Sequence, residues 1–105
     1  MVKEITVQEL KNIRDNNEEH QLIDVREQNE YDFCHIDGEL IPLGQVMERA
    51  DEISKDKKVI VHCRSGKRSA DAILALQRLG YENLLNLKGG ILAWADEIDP
   101  SVPKY

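Results

Sequence analysis

The sequence predicts a three-layer α/β/α fold in which helices cover both faces of a central parallel sheet of about five strands. Apolar residues dominate the runs 22–25 and 59–61 without alternating with polar ones, which is typical of strands buried on both faces. These runs alternate along the chain with segments of helical periodicity, the order expected of an α/β fold. No repeat or linker divides the sequence, so we expect one domain over residues 1–105.

Capping signals and apolar spacing define the elements of the amino-terminal half. Thr6 followed by Glu9 forms a capping box, so a first helix is expected from there to about Asn16. The further elements expected in this half are a strand over 21–25, a short helix over 27–33, a short strand at 40–41 and an amphipathic helix over 44–54.

The carboxyl-terminal half contains the most apolar helix of the prediction. This helix, over 69–79, is rich in Ala and Leu, so we expect it to be central and mostly buried. Gly80 suits the position just after it, where a left-handed backbone is common. The other elements expected here are a buried strand over 59–62, a short strand over 84–87, a helix from Gly89-Gly90 to about Ile98, and an irregular tail with Pro100 and Pro103.

The balance of charges excludes several kinds of partner. Fourteen Lys and Arg against twenty Asp and Glu give a net charge of −6, which argues against a nucleic-acid or anionic-membrane partner. The first residues lack the apolar core of a signal peptide, and no apolar run approaches membrane-spanning length. We therefore expect a cytoplasmic protein, and nothing in the sequence sets its oligomeric state.

The two cysteines, Cys34 and Cys63, do not have the spacing of a zinc site or of a Cys-x-x-Cys motif, so we expect neither a structural metal nor a cofactor. In a reducing cytoplasm, a lone thiol in a basic loop is a better candidate for catalysis than for a disulfide. Cys34 is interpreted as a small packing residue.

Cys63 lies where a predicted strand leads into a predicted helix. A helix N-terminus presents unpaired N–H groups, and Arg64, Lys67 and Arg68 add three cationic side chains around the same sulfur. A cysteine in such a place can have a pKa of roughly 3.5–7.5 instead of ~8.5. We therefore expect Cys63 to be a thiolate nucleophile, and the three cations argue against a buried, inert thiol.

Two parallel strands are expected to deliver polar residues to one site. Asp24 and Arg26 lie at the end of one strand and Cys63 at the end of another, and parallel sheets bind ligands outside the carboxyl ends of their strands. Asp24 and Arg26 are interpreted as structural partners that brace the loop. His62, which strand alternation directs away from Cys63, and Trp94 are interpreted as core residues.

The loop after Cys63 differs from two known anion-binding loops. A Walker A loop is excluded, because Gly66-Lys67 is followed by Arg68 and the earlier glycine position holds Val61. In the cysteine phosphatase loop five residues separate the cysteine from an arginine, whereas four separate Cys63 from Arg68. The shorter loop lacks an arginine where phosphate transfer needs its paired hydrogen bonds.

With Cys-x-x-Gly-x-Arg at the end of a strand, the loop resembles that of the rhodanese (thiosulfate sulfurtransferase) family. The resemblance extends across the chain. It includes Leu22-Ile23-Asp24-Val25-Arg26 with Glu30-Tyr31, His35-Ile36, Gly38 and Ile41-Pro42-Leu43, then Leu87-Lys88-Gly89-Gly90-Ile91 with Trp94, and finally residues 95–105, which resemble the ending of rhodanese modules fused to molybdopterin-synthase adenylyltransferases.

The resemblance implies a sulfurtransferase in which Cys63 takes a sulfane sulfur from thiosulfate or a persulfide donor and passes it to cyanide or a thiol. Arg64 and Lys67 are implied to attract the anionic donor, and Arg68 to join them or to anchor the loop. Gly66 allows the backbone to turn tightly around the sulfur. The residues implied to bind the substrate by side chains or N–H groups are Arg64, Ser65, Gly66, Lys67, Arg68 and Ser69.

Two other functions stay open at this point. One is a sulfur-relay module whose acceptor is a protein, and the other is a phosphatase or arsenate reductase of the same fold, which the loop length disfavours. The chain also departs from the family pattern in two places that concern donor selectivity. Cys34 stands where a glycine usually precedes His35-Ile36, and the segment 38–42 is about one residue short.

Overall fold

A parallel sheet of five strands organises the chain, whose residues 1–105 are all described by the computed structural model. The elements, in chain order, are β1 (Glu4–Ile5), α1 (Val7–Asp15), β2 (His20–Asp24), α2 (Gln28–Phe33), β3 (Glu39–Leu40), two 3₁₀ helices (Leu43–Gln45 and Ala50–Glu52), β4 (Lys58–His62), α3 (Lys67–Gln77), β5 (Leu84–Leu87) and α4 (Gly90–Glu97). The strands lie in the order β1-β5-β4-β2-β3, and every neighbouring pair is parallel. The predicted α/β class is therefore confirmed.

Each face of the sheet carries its own apolar layer. On one face Ile23 and Val61 pack with buried residues of α3, and on the other Leu22 and Ile60 pack with buried residues of α1 and α4. Successive residues of a strand point to opposite faces, so neighbours in sequence are buried in different layers. This arrangement explains why the central strands are apolar without alternation.

Local hydrogen bonds fix two helix ends that the sequence predicts. At the start of α1, the Glu9 N–H donates to Thr6 Oγ1 at 3.1 Å and the Thr6 N–H donates to Glu9 Oε1 at 3.0 Å. After α3, Gly80 has a φ of +90°, and the Tyr81 N–H donates to the Leu76 carbonyl at 3.3 Å. This Schellman pattern confirms the predicted role of Gly80.

Residues 44–54 do not form the continuous amphipathic helix that the sequence predicts, but two short 3₁₀ helices separated by a turn. In a helix the Ala50 carbonyl would accept the Ser54 N–H. Instead, the Ala50 carbonyl accepts hydrogen bonds from the Ile53 N–H and the Tyr81 hydroxyl, and the Ser54 N–H donates to Gln21 Oε1 at 2.8 Å. Because distant side chains satisfy these backbone groups, the segment closes into separate turns.

Helix α3 is less buried than the sequence predicts. Ala72, Ile73 and Leu76 are buried, but Leu74 is 45% exposed, and Leu79 beyond the helix is 43% exposed. The helix therefore covers the sheet with one face and presents the other to solvent. No helix of the chain is both long and apolar enough to cross a membrane.

The edge strand β1 is not among the predicted strands. Glu4 and Ile5 pair with Asn86 and Leu87 of β5, which extends the sheet on that side. A strand of two residues has no periodicity to detect, so only its pairing defines it. The loops that follow β2, β4 and β5 meet at the carboxyl edge of the sheet, where the polar residues gather.

Candidate functional site

The loop between β4 and α3 places the Cys63 sulfur against hydrogen-bond donors. β4 ends at His62 and α3 begins at Lys67, so a short loop turns the chain with Gly66 at a φ of +117°. The Gly66 N–H donates to Cys63 Sγ at 3.1 Å, and Ser69 Oγ lies 3.4 Å from the same sulfur. The loop thus forms a cradle for negative charge on Cys63 Sγ.

Cys63 is buried, in contrast to the expectation from its cationic neighbours, and only 1% of its surface is exposed. Burial raises the pKa of the thiol, but hydrogen bonds to the sulfur outweigh burial and leave the pKa below its ordinary value. These bonds come from Ser69, Gly66 and Ser65. Hydrogen bonds around the sulfur, and not exposure to solvent, therefore favour the thiolate form of Cys63.

The start of α4 lies directly against this loop. The Ile91 N–H donates to the Cys63 carbonyl at 3.0 Å, and the Leu92 N–H donates to the Arg64 carbonyl at 3.2 Å. Gly90 has a φ of +60°, and a Cβ atom there would lie 2.5 Å from the Arg64 oxygen. This approach leaves no room for a side chain at position 90. The first N–H groups of α4 hold the carbonyl side of the loop, while N–H groups of the loop face the sulfur.

Arg68 is bound by a carboxylate of α2. Its Nη1 and Nη2 donate to Oε1 and Oε2 of Glu30 at 2.6 and 2.9 Å. The Arg68 guanidinium lowers the pKa of Glu30 to about 2, and the same hydrogen bonds raise the pKa of Arg68. The pair connects the first turn of α3 to α2, so Arg68 is placed to anchor the loop.

Asp24 and Arg26 form a fully buried ion pair beneath the site. Arg26 Nη2 lies 2.7 Å from Asp24 Oδ2, and neither side chain has exposed surface. The same nitrogen of Arg26 donates to the Cys34 carbonyl at 2.8 Å. Burial lowers the pKa of Arg26, but hydrogen bonds to Asp24 and Tyr105 outweigh it and raise the pKa. The pair supports the site from below and does not reach its surface.

His62 is buried between this ion pair and the loop. Its Nδ1 lies 3.3 Å from the Cys63 carbonyl oxygen, and its Nε2 lies 3.6 Å from Asp24 Oδ2. Burial lowers the pKa of His62, so the ring is neutral at neutral pH. Because the ring contacts the Cys63 main chain, His62 is not placed to take a proton from the sulfur.

The carboxyl-terminal tail binds the side chain of Arg64. Arg64 Nε donates to the Tyr105 main-chain oxygen at 2.7 Å, and its guanidinium lies 5.2 Å from the centre of the Tyr105 ring. The Tyr105 hydroxyl donates to Glu30 Oε2 at 2.6 Å and accepts from Arg26 Nη1 at 3.0 Å. Of the two cations expected to attract a donor, Arg64 is thus already engaged, whereas Lys67 is exposed at the start of α3.

Asn86 is a buried polar residue of the site that the sequence interpretation missed. Ser69 Oγ donates to Asn86 Oδ1 at 2.5 Å, and Asn86 Nδ2 donates to the Gly66 carbonyl at 3.0 Å. Ser69 has no exposed surface, and Asn86 is 4% exposed. The sequence does carry a signal for Asn86, since it is the single polar residue of the apolar strand 84–87, as Asp24 is in 22–25.

The structure brings the predicted loop residues together at the carboxyl edge of the sheet. A cavity of about 320 Å³ adjoins this edge and is lined in part by Thr6, Lys88 and Gly89, but Cys63 does not line it. No group of three or more His, Cys, Asp or Glu side chains is arranged to hold a metal ion.

Comparisons with known proteins agree on one kind of domain. A family model described as Rhodanese-like domain matches residues 6–97. The chain is 40% identical to a sulfurtransferase of Allochromatium vinosum over 96 residues, which cover 90% of each protein. It is 36% identical to a Mycobacterium tuberculosis protein named "Probable adenylyltransferase/sulfurtransferase MoeZ", over 96% of this chain but 26% of MoeZ. The chain spans only part of several curated relatives, from 22% to 63% of their length.

Solved structures give the same result for the fold. A crystal structure of a rhodanese-like domain protein from Staphylococcus aureus matches with a TM-score of 0.84 and 30% sequence identity, over 99% of each chain. The similarity in backbone therefore extends beyond the Cys63 loop to the whole sheet and its helices.

Proposed function

The chain belongs to the rhodanese-like domain family, and on this basis we propose that it is a sulfurtransferase in which Cys63 accepts and releases a sulfane sulfur. The observation that carries the proposal is the hydrogen bond from the Gly66 N–H to Cys63 Sγ, at 3.1 Å. This bond holds a hydrogen-bond donor in contact with the sulfur before any substrate binds. A thiolate stabilised in this way is a nucleophile at neutral pH.

In the first step, the Cys63 thiolate attacks the outer sulfur of thiosulfate or of a persulfide donor. A new S–S bond forms at Cys63 while the S–S bond of the donor breaks. The electron pair of the broken bond leaves with sulfite, or with the thiolate of the persulfide donor. The sulfur that stays on Cys63 carries the negative charge of a persulfide, within reach of the N–H groups of residues 64–69.

In the second step, the carbon of cyanide or the sulfur of a thiolate attacks the outer sulfur of the persulfide. The bond between that sulfur and Cys63 Sγ breaks, and its electron pair returns to Cys63. The Gly66 N–H is placed to stabilise the thiolate that leaves, and a thiolate of lowered pKa is the better leaving group. The same hydrogen bond therefore serves both steps.

An anionic donor fits the charge around the loop. The chain as a whole is acidic, with a net charge of −6, yet Arg64, Lys67 and Arg68 lie within five consecutive positions. Glu30 neutralises Arg68, and the Tyr105 main-chain oxygen engages Arg64. Lys67 is therefore the side chain that we expect to contribute most to attraction of the donor.

Measurement of intact mass after incubation with thiosulfate tests the proposal. We expect the wild-type chain to gain the mass of one sulfur atom and the Cys63→Ser variant to gain none. Cys34→Ser is the matched control, because it removes the other buried thiol and should still gain sulfur. No gain in the wild-type chain with thiosulfate, polysulfide or a cysteine-desulfurase donor would overturn the proposal.

Two further assays separate the remaining functions. Hydrolysis of an aryl phosphate tests a phosphatase, which we expect to be absent because Arg68 is paired with Glu30 and the loop is short. Robust turnover of the aryl phosphate would contradict that argument. Loading by a protein persulfide donor is compared with loading by thiosulfate, since fast protein loading with slow thiosulfate turnover would indicate a sulfur relay.

A further inference from the structure

The Ser69 hydroxyl has three polar neighbours and one proton. Its Oγ lies 2.5 Å from Asn86 Oδ1, 3.1 Å from the Gly66 carbonyl oxygen and 3.4 Å from Cys63 Sγ. Both oxygen neighbours can only accept a hydrogen bond, so each competes with a charged sulfur for the same proton. The shortest of the three distances assigns the proton to Asn86 when the sulfur carries no charge.

The charge on Cys63 determines which neighbour accepts the hydrogen bond from the Ser69 hydroxyl. A neutral thiol can donate its S–H to Ser69 Oγ while Ser69 donates to Asn86. A thiolate faces the lone pairs of Ser69 unless the hydroxyl turns its proton toward the sulfur, where it makes a charge-assisted hydrogen bond. Asn86 Oδ1 then loses its donor in a buried position, which has a free-energy cost.

We propose that Asn86 is a positioning residue that acts on Cys63 through Ser69, by competing with the sulfur for the hydroxyl proton. The Ser69 hydroxyl turns to the sulfur when Cys63 is a thiolate. It returns to Asn86 when the charge moves to the outer sulfur of a persulfide, because Cys63 Sγ is then neutral. The proposal rests on the proposed function for the persulfide state and for the role of Cys63 as the nucleophile.

The second hydrogen bond of Asn86 keeps the competing acceptor in place. Its Nδ2 donates to the Gly66 carbonyl at 3.0 Å, which fixes the orientation of the amide and directs Oδ1 at Ser69. The Gly66 N–H, on the other side of the same residue, donates to Cys63 Sγ. Asn86 therefore contacts two of the residues that bind the sulfur, Gly66 and Ser69, yet does not touch the sulfur itself.

Charged groups from several elements surround the loop, and they are the same residues in every variant of the test. Gly90 and Ile91 of α4 and Asn86 of β5 are uncharged, and the turn between these elements carries the exposed Lys88. The charged and titratable groups on the other elements are Arg64 of the loop, Lys67 and Arg68 of α3, His62 of β4, Asp24 of β2, Arg26 after it, Glu30 of α2, and Tyr105 of the tail.

A double-mutant cycle tests the competition directly. The pKa of the Cys63 thiol is measured from the pH dependence of its alkylation by iodoacetamide, followed on the Cys63 peptide by mass spectrometry. Ser69→Ala is made in the wild-type chain and in the Asn86→Leu variant. We expect Ser69→Ala to raise the pKa more in the Asn86→Leu background, by about one unit, which is a tenfold change in thiolate below both pKa values.

The matched control is Asn83→Leu, which removes an asparagine just before β5 that donates to the Ser54 and Lys57 carbonyls. In that background the effect of Ser69→Ala should equal its effect in the wild-type chain. The proposal is overturned if Ser69→Ala raises the Cys63 pKa by an equal or smaller amount in the Asn86→Leu background. That result would mean that removal of Asn86 does not free the Ser69 hydroxyl for the sulfur, and that Asn86 has only a structural role.

Two features keep the result interpretable. Asn86→Ala replaces Asn86→Leu if the leucine variant does not fold, and the same increase is expected. No sulfur donor is used in the alkylation, so a failure of this inference is distinguishable from a failure of sulfur loading.

Discussion

Glu30 binds both terminal nitrogens of the Arg68 guanidinium, with hydrogen bonds of 2.6 and 2.9 Å between α2 and the first turn of α3. An arginine held in this paired geometry is fixed in orientation as well as in position. Its charge is neutralised beside the Cys63 loop, so we expect Arg68 to stabilise the loop and not to attract an anionic donor. The two helices are distant in sequence, and this pair connects them at the mouth of the site.

The Glu30–Arg68 pair should make stability depend on pH in the acid range. The pKa of Glu30 is lowered from an ordinary 4.5 to about 2, so its contribution is present above 4.5 and lost as the pH falls toward 2. We expect the wild-type chain to be more stable than Glu30→Gln at neutral pH, and the difference to shrink over this range. Urea unfolding at several pH values measures it, and a difference independent of pH would contradict the assignment.

The buried pair of Asp24 and Arg26 should be sensitive to loss of one partner. Asp24→Asn leaves the Arg26 charge without its carboxylate, so we expect a loss of about 3–5 kcal/mol in the free energy of unfolding. The control is Asp15→Asn, which breaks an exposed pair with Lys11 and should cost at most about 1 kcal/mol. Similar losses in both variants would show that burial of the pair is unimportant.

Gly90 should not tolerate a side chain, because a Cβ atom would overlap the carbonyl oxygens of Arg64 and Cys63 and the backbone is left-handed. We expect Gly90→Ala to lose about 1–3 kcal/mol in the free energy of unfolding and to slow alkylation of Cys63, since the loop must move. Gly44→Ala is the control, since a Cβ atom there meets no atom within 4 Å. Unchanged alkylation in Gly90→Ala would mean that α4 does not hold the loop.

Lys67 should attract the anionic donor by its charge alone. We expect Lys67→Glu to raise the KM for thiosulfate about tenfold, with little change in stability, because the side chain is exposed. The control is Lys57→Glu, which makes the same change in charge just before β4. Because Cys63 follows the other end of that strand, Lys57→Glu should leave the KM for thiosulfate unchanged. The effect should fall as salt is added. An equal KM in the wild-type chain and Lys67→Glu would remove this residue from the site.

Much of the fold could be predicted from the sequence because the strong signals are local. The apolar runs of β2 and β4, the capping box at Thr6 and the glycine at position 80 are each defined by residues close in sequence. Membership of the rhodanese-like domain family confirms the resemblance that the Cys63 loop indicated. These features depend on neighbours along the chain, so a single sequence contains them.

The errors and omissions share a different cause, which is dependence on distant residues. The helix expected over 44–54 was wrong because Tyr81 and Gln21 satisfy backbone groups of that segment. The sequence predicted N–H groups and cations around the sulfur but not Asn86, whose hydrogen bond to the Gly66 carbonyl crosses from β5 to the loop. No local pattern predicts these contacts, since each forms only when the sheet has brought its strands together.

The depth of Cys63 has a consequence for which atom an acceptor can attack. With 1% of the residue exposed, Cys63 Sγ is shielded, while a sulfur bonded to it would lie about 2 Å farther along the S–S bond. Attack on that outer atom delivers the sulfur, whereas attack of a thiolate on the inner atom would expel the outer sulfur as hydrosulfide and leave the acceptor bound to the chain as a mixed disulfide. In the proposed reaction, the burial of one side chain would therefore direct the acceptor to the outer sulfur and favour turnover over covalent trapping.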